Sequence, residues 1–127
     1  MKKLFLAALF AILATGLVFV SCATIPTSEA DFEGTWKQVV TKGPNLGVMT
    51  YTFSGFNFTF TYEYQTGRSS SYSGTYTFTD NTITFIRTEP ADWGQSTWTQ
   101  EFTMKRSSLT IAPDRQQHFN GTFKKQR

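Results

Sequence analysis

The sequence predicts an all-β fold: a small eight-stranded antiparallel up-and-down barrel following an N-terminal signal segment. Three observations predict it. From Phe32 onward apolar and polar residues alternate, β-branched and aromatic residues carry the pattern, and helical spacing is nowhere sustained. Aromatic residues make up 17% of the chain, enough to give each strand an apolar face. Turn residues interrupt the alternation at hairpin intervals.

In chain order, the first segment stands apart from the domain. Met1-Lys2-Lys3 is basic, Leu4 to Val20 is apolar apart from Thr15 and Gly16, and Ser21-Cys22 closes the run with small residues. Basic, then apolar, then small is the order of a secretory signal. The apolar run is long for a signal core and short of the about 20 residues that span a bilayer. A polar, proline-containing stretch, Ala23 to Ala30, follows. Phe19-Val20-Ser21-Cys22 resembles the lipobox of bacterial lipoproteins, although the commonest pattern has leucine at the position of Phe19. The resemblance implies a signal peptide over residues 1–21, lipidation of Cys22, a tether over 22–31 and a domain over 32–127. It also implies an exported protein, lipid-anchored to the bacterial cell envelope. An ordinary cleaved signal and an uncleaved anchor are the other readings, and each still exports the domain. One acyl chain holds a protein marginally, whereas two or more anchor it stably. Cys22 is the only cysteine, so no intramolecular disulfide forms and packing alone must hold the fold.

The strands are expected at Phe32 to Thr41, Val48 to Phe53, Asn57 to Gln65, Ser70 to Thr79, Thr82 to Thr88, Thr97 to Arg106, Ser108 to Ala112 and Gln117 to Lys125. The third is the clearest: Phe58, Phe60, Tyr62 and Tyr64 share one face, and Thr59, Thr61 and Glu63 the other. Barrel closure is preferred to a sandwich because an open sheet with a full apolar face on every strand leaves two unprotected edges. Gly34-Thr35-Trp36, Gly74-Thr75-Tyr76 and Gly121-Thr122-Phe123 each place a glycine two positions before an aromatic, on the same face, where it lets a curved sheet bend.

In this layout the sequence resembles the lipocalins and their calycin relatives, in which a Gly-x-Trp motif opens the first strand. The resemblance implies that Gly34 and Trp36 close one end of the barrel and that Lys124 or Arg127 packs across the tryptophan. The domain is shorter than a typical lipocalin and lacks a helix after the last strand. It is closer to the compact lipocalin-like domains of bacterial lipoproteins. Gly74 to Thr77 also repeats a motif of the avidin relatives, but their other ligand contacts have no counterpart here.

In an up-and-down barrel the links alternate between the two ends. Those at Ser54-Gly55-Phe56, Asp80-Asn81 and Ser107 are tight, whereas Lys42 to Gly47, Thr66 to Ser69, Glu89 to Ser96 and Pro113 to Gln116 are longer. One end is therefore expected to be pinched and the other to be a looped mouth. The inward residues sort in the same sense. Trp36, Phe53, Phe58, Phe60, Phe78, Ile83, Met104 and Phe123 make an apolar floor, and Gln38, Tyr51, Tyr62, Tyr64, Tyr72, Arg87, Trp98 and Gln100 an amphipathic upper wall. That gradient fits a small hydrophobic or amphipathic ligand, with Tyr51, Tyr62, Phe85, Arg87, Trp98 and Gln100 as its lining. An inward Arg87 is costly unless paired, and would receive a carboxylate or phosphate. The competing expectation is a barrel filled by its own side chains, whose loops around Pro44 and Trp93 contact a protein partner.

No catalytic constellation is visible. His118 is the single histidine, which excludes multi-histidine metal sites and leaves most histidine-paired nucleophiles without their second member. The carboxylates are scattered, and Asp80 and Asp114 have a sufficient role in turns. The expectation is a non-enzymatic protein without a cofactor or metal. The net charge of +3 falls when Lys2 and Lys3 leave with the signal, so no nucleic-acid partner is expected.

Overall fold

The computed structural model describes residues 25–127; residues 1–24, including the signal segment and Cys22, lie outside the described residues. Eight strands follow a short 3-10 turn, Glu29–Asp31: β1 Gly34–Val40, β2 Gly47–Ser54, β3 Asn57–Tyr64, β4 Ser69–Phe78, β5 Thr82–Glu89, β6 Ser96–Lys105, β7 Ser108–Ile111 and β8 Gly121–Lys125. A second 3-10 turn, Ala91–Trp93, lies between β5 and β6. Each strand pairs antiparallel with the next, and β1 pairs with β8, closing the barrel in sequence order.

The alternation does what the sequence requires of it. On β6 Trp98, Gln100, Phe102 and Met104 are buried, while Thr97, Thr99, Glu101 and Thr103 face solvent. Outward threonines form cross-strand hydrogen bonds, Thr84 to Thr99 at 2.8 Å and Thr110 to Thr122 at 2.9 Å. Gly74 marks a shift of register between β4 and β5. A Cβ there would lie 1.8 Å from the carbonyl oxygen of Ile86, so only glycine allows the approach.

Two expected strands begin late. β1 starts at Gly34 rather than Phe32, because the Asp31 carboxylate accepts the backbone N–H of Thr27 at 2.8 Å and of Ser28 at 3.3 Å and folds a turn ahead of it. Those two N–H groups also hold the Asp31 carboxyl below its usual range. β8 starts at Gly121 rather than Gln117, which adopts a φ of 58° that breaks the extended run.

The pinched end carries Gly55-Phe56, Thr79–Asn81 and Arg106-Ser107, and its floor is sealed by Phe32. That ring is fully buried and lies 4.9–5.6 Å from the rings of Phe53, Tyr76, Phe78 and Phe102. Trp36 Nε1 donates to the Phe32 carbonyl at 2.8 Å. The cation across Trp36 is Lys125, with Nζ 5.3 Å from the ring centre, and not Lys124 or Arg127. Register explains the correction. Lys125 stands opposite Trp36 on the inward face, Lys124 opposite Lys37 on the outward face, and Arg127 lies beyond the strand.

Candidate functional site

The barrel closes unevenly. β1 and β8 meet at two pairs only, Trp36 with Lys125 and Lys37 with Lys124. Above them the side chain of Gln38 lies against Gly121, whose φ is 119° and whose Cβ would sit 2.5 Å from Gln38 Oε1. Residues 117–120 then continue without joining β1 as a strand. The gap is an open cavity of about 310 Å³ in the rim of the mouth, lined by Gln38, Lys42, Met49, Tyr62, His118 and Phe119 among others. Gln38 Oε1 is buried without a hydrogen-bond partner. The Tyr62 hydroxyl donates to the Asn45 carbonyl and so ties the β1–β2 link to β3.

The far side of the gap is the segment between β7 and β8, residues 112–120, which folds over the barrel mouth. Gln100, 2% exposed, holds its backbone, with Nε2 donating to the carbonyls of Ala112 and Phe119 at 3.1 Å each. Its Oε1 accepts Trp98 Nε1 at 3.0 Å. Asp114 grips His118 twice, through the backbone N–H at 2.8 Å and through Nδ1 at 2.6 Å. Desolvation raises the Asp114 carboxyl, but these hydrogen bonds outweigh it and leave the group below its usual range. The His118 ring stacks on Trp98 at 4.2 Å, and the Phe119 ring on Phe60 at 4.7 Å.

Of the six residues expected to line one cavity, Tyr51, Phe85, Trp98 and Gln100 form a contiguous group, Phe85 stacking on Trp98 at 5.4 Å, while Tyr62 and Arg87 are placed apart from it. Tyr62 alone borders the rim cavity. Trp98 and Gln100, largely buried, border a separate open cavity of about 500 Å³ beside residues 113–116. Tyr51 and Phe85, both fully buried, belong to the closed core below, where their rings stack at 5.5 Å. Burial pushes the Tyr51 phenol well above its usual value, and the Tyr72 hydroxyl beside it adds to the effect without forming a well-aligned hydrogen bond. The Tyr72 phenol is likewise raised by burial.

Arg87 is committed elsewhere. Its Nη2 donates to the carbonyls of Trp93 at 3.3 Å and Gly94 at 3.2 Å, and its guanidinium lies 5.3 Å from the Trp93 ring centre. Carbonyls freed at the end of the 3-10 turn supply acceptors that the sequence had not revealed. Nε remains buried without a partner. Trp93 itself is 51% exposed. The Pro44 loop borders a second open cavity, about 420 Å³, with Tyr64 and Arg68.

Sequence reasoning missed His118 and Phe119, which it assigned to the last strand. The signals that mark their true setting are Pro113-Asp114 and Asn120-Gly121, turn dipeptides at both ends of the segment. Among the described residues no three His, Cys, Asp or Glu side chains cluster as a metal site would require.

No protein-family model matches the chain, and no curated protein matches it in sequence. Among solved structures it is similar to a lipocalin-like protein from Bacteroides uniformis, at 18% identity and a TM-score of 0.49, over 76% of this chain and 99% of that one. The chain itself folds as a closed eight-stranded antiparallel up-and-down barrel, with a turn that plugs one end and Trp36 beneath a crossing cation.

Proposed function

We propose that this protein is a non-enzymatic, membrane-anchored binding module that holds a small hydrophobic or amphipathic ligand at the looped end of its barrel. The observation that carries the reading is the rim cavity, a recess that joins Val40, Met49 and Phe119 to Tyr62 and polar side chains such as Gln38 and Lys42, placed where the barrel leaves its own seam unzipped. Gln38, Lys42, Tyr62 and His118 are among the polar groups at its wall. Trp98 and Gln100 lie under the segment that covers the mouth, and Tyr51 and Phe85 support them from the core. The membrane part of the proposal rests on Cys22 and the segment before it. A tether reaching the pinched end would turn the mouth away from the anchoring bilayer.

A second reading is favoured by the packed floor and by Trp93, 51% exposed on its loop. In it the barrel is solid and the Trp93 and Pro44 loops dock a protein partner. Native mass spectrometry of the full chain extracted from membranes separates the two. The binding reading expects a chain that begins at an acylated Cys22 and forms a saturable one-to-one adduct with members of a panel of fatty acids and aromatic acids. No adduct across the panel overturns it in favour of the second reading, and an unmodified Cys22 removes the anchor.

A further inference from the structure

Two columns of rings run up the inside of the barrel, and both end in the same step of the chain. One passes from Tyr72 through Phe60 to Phe119, with centroids 4.9 and 4.7 Å apart and planes inclined by 28° and 18°. The other passes from Phe85 through Trp98 to His118, at 5.4 and 4.2 Å, inclined by 29° and 7°. His118 and Phe119, adjacent in sequence, each cap one column. Neither belongs to a strand. Beyond a backbone hydrogen bond from Ala112 to Glu101 at its start, the segment that carries them is held over the mouth by the Gln100 side chain rather than by a ladder of backbone hydrogen bonds, while Asp114 braces its internal turn onto His118. Segments held in this way open at lower free energy than paired strands. Gly121, in a conformation that favours glycine, provides a pivot where β8 begins.

We propose that His118 and Phe119 are resident occupants of a binding site for a planar aromatic ligand bearing a carbonyl or carboxylate oxygen, which enters as residues 112–120 lift. The proposal rests on the mouth being a ligand site and narrows that reading to one chemical class. The class follows from what lifting uncovers. The faces of Phe60 and Trp98, which both pack against Tyr72, lose their partners, and a flat ring restores offset stacking on either face where a flexible alkyl chain only covers area. The Gln100 amide loses two carbonyl acceptors, so a ligand without an oxygen acceptor leaves its N–H donors unpaired in a desolvated place. Lys42, in the rim cavity that His118 and Phe119 also line, supplies a cation for a carboxylate.

The test is a titration of the ¹⁵N-labelled full chain in lipid nanodiscs with naphthalene-2-carboxylate and, separately, with decanoate, against empty nanodiscs. Naphthalene-2-carboxylate is expected to shift the Trp98 indole N–H, the Gln100 side-chain amide and the backbone of residues 117–120 together and saturably, with decanoate much weaker. Phe119→Ala removes one resident ring and is expected to bind naphthalene-2-carboxylate about tenfold more tightly. The amide spectrum reports whether that variant is folded; if it is not, the wild-type titration decides. Decanoate binding at least as tight as naphthalene-2-carboxylate overturns the aromatic class and leaves the mouth a ligand site. Aromatic binding with residues 117–120 unmoved overturns the exchange. No response to either probe, in the wild type or in a folded Phe119→Ala variant, overturns this proposal and the binding reading together.

Discussion

Tyr51 is buried at the centre of the barrel with its ring fully packed and its hydroxyl unpaired. Its ring meets Phe53, Phe60, Phe85 and Phe123 at 4.8–5.6 Å, so the aromatic part is well used. The oxygen, by contrast, has left water with only the Tyr72 hydroxyl beside it and no well-aligned hydrogen bond, and a buried polar group left unsatisfied costs about 1–3 kcal/mol. Tyr51→Phe keeps the ring and removes that cost. Urea denaturation is therefore expected to show the variant more stable by about 1 kcal/mol; a loss of stability of that size means that the hydroxyl is satisfied. At this scale parity was legible in the sequence, since inward and outward residues alternate from Phe32 onward. Register was not. That Lys125 rather than Lys124 faces Trp36 depends on how the last strand aligns with the first, and nothing local to either strand states it.

Elements were legible where alternation was uninterrupted, as in β3 and β6, because burying one face of a strand fixes its period. They were misread where local hydrogen bonding competes with strand formation. Asp31 folds a turn ahead of β1, and Asp114 folds another ahead of β8, each by accepting backbone N–H groups close in sequence. The first of these turns delivers Phe32 to the floor, where it acts as the barrel's plug and not as its first strand residue. Phe32→Ala is expected to lose about 3–5 kcal/mol in denaturant unfolding, with the amide resonances of residues 117–120 unchanged because the mouth lies at the opposite end. A loss below about 1 kcal/mol contradicts the plug, since that is the scale of a surface change. The second turn places His118 and Phe119 over the mouth. The sequence carried its marks at Pro113-Asp114 and Asn120-Gly121, but its packing against Trp98 and Phe60 is tertiary and no periodicity announces it.

The whole molecule is a sheet obliged to close, because each of its strands carries an apolar face and a closed sheet has no edge to protect. That obligation, and the sorting of tight and long links to opposite ends, could be read from the chain. The way the closure fails above Lys37 could not, because it is settled between the first strand and the last, the pair most distant in sequence. The candidate site is a product of that failure. Below the seam the barrel is filled by aromatic side chains, and above it the wall opens into the cavity beside Gln38 and Tyr62. Cross-strand NOEs on the labelled full chain in nanodiscs test this division most directly. Backbone contacts are expected to join Trp36 to Lys125 and Lys37 to Lys124, with none joining residues 38–40 to residues 117–120; contacts running the full height of the seam, or none along it, would refute the division.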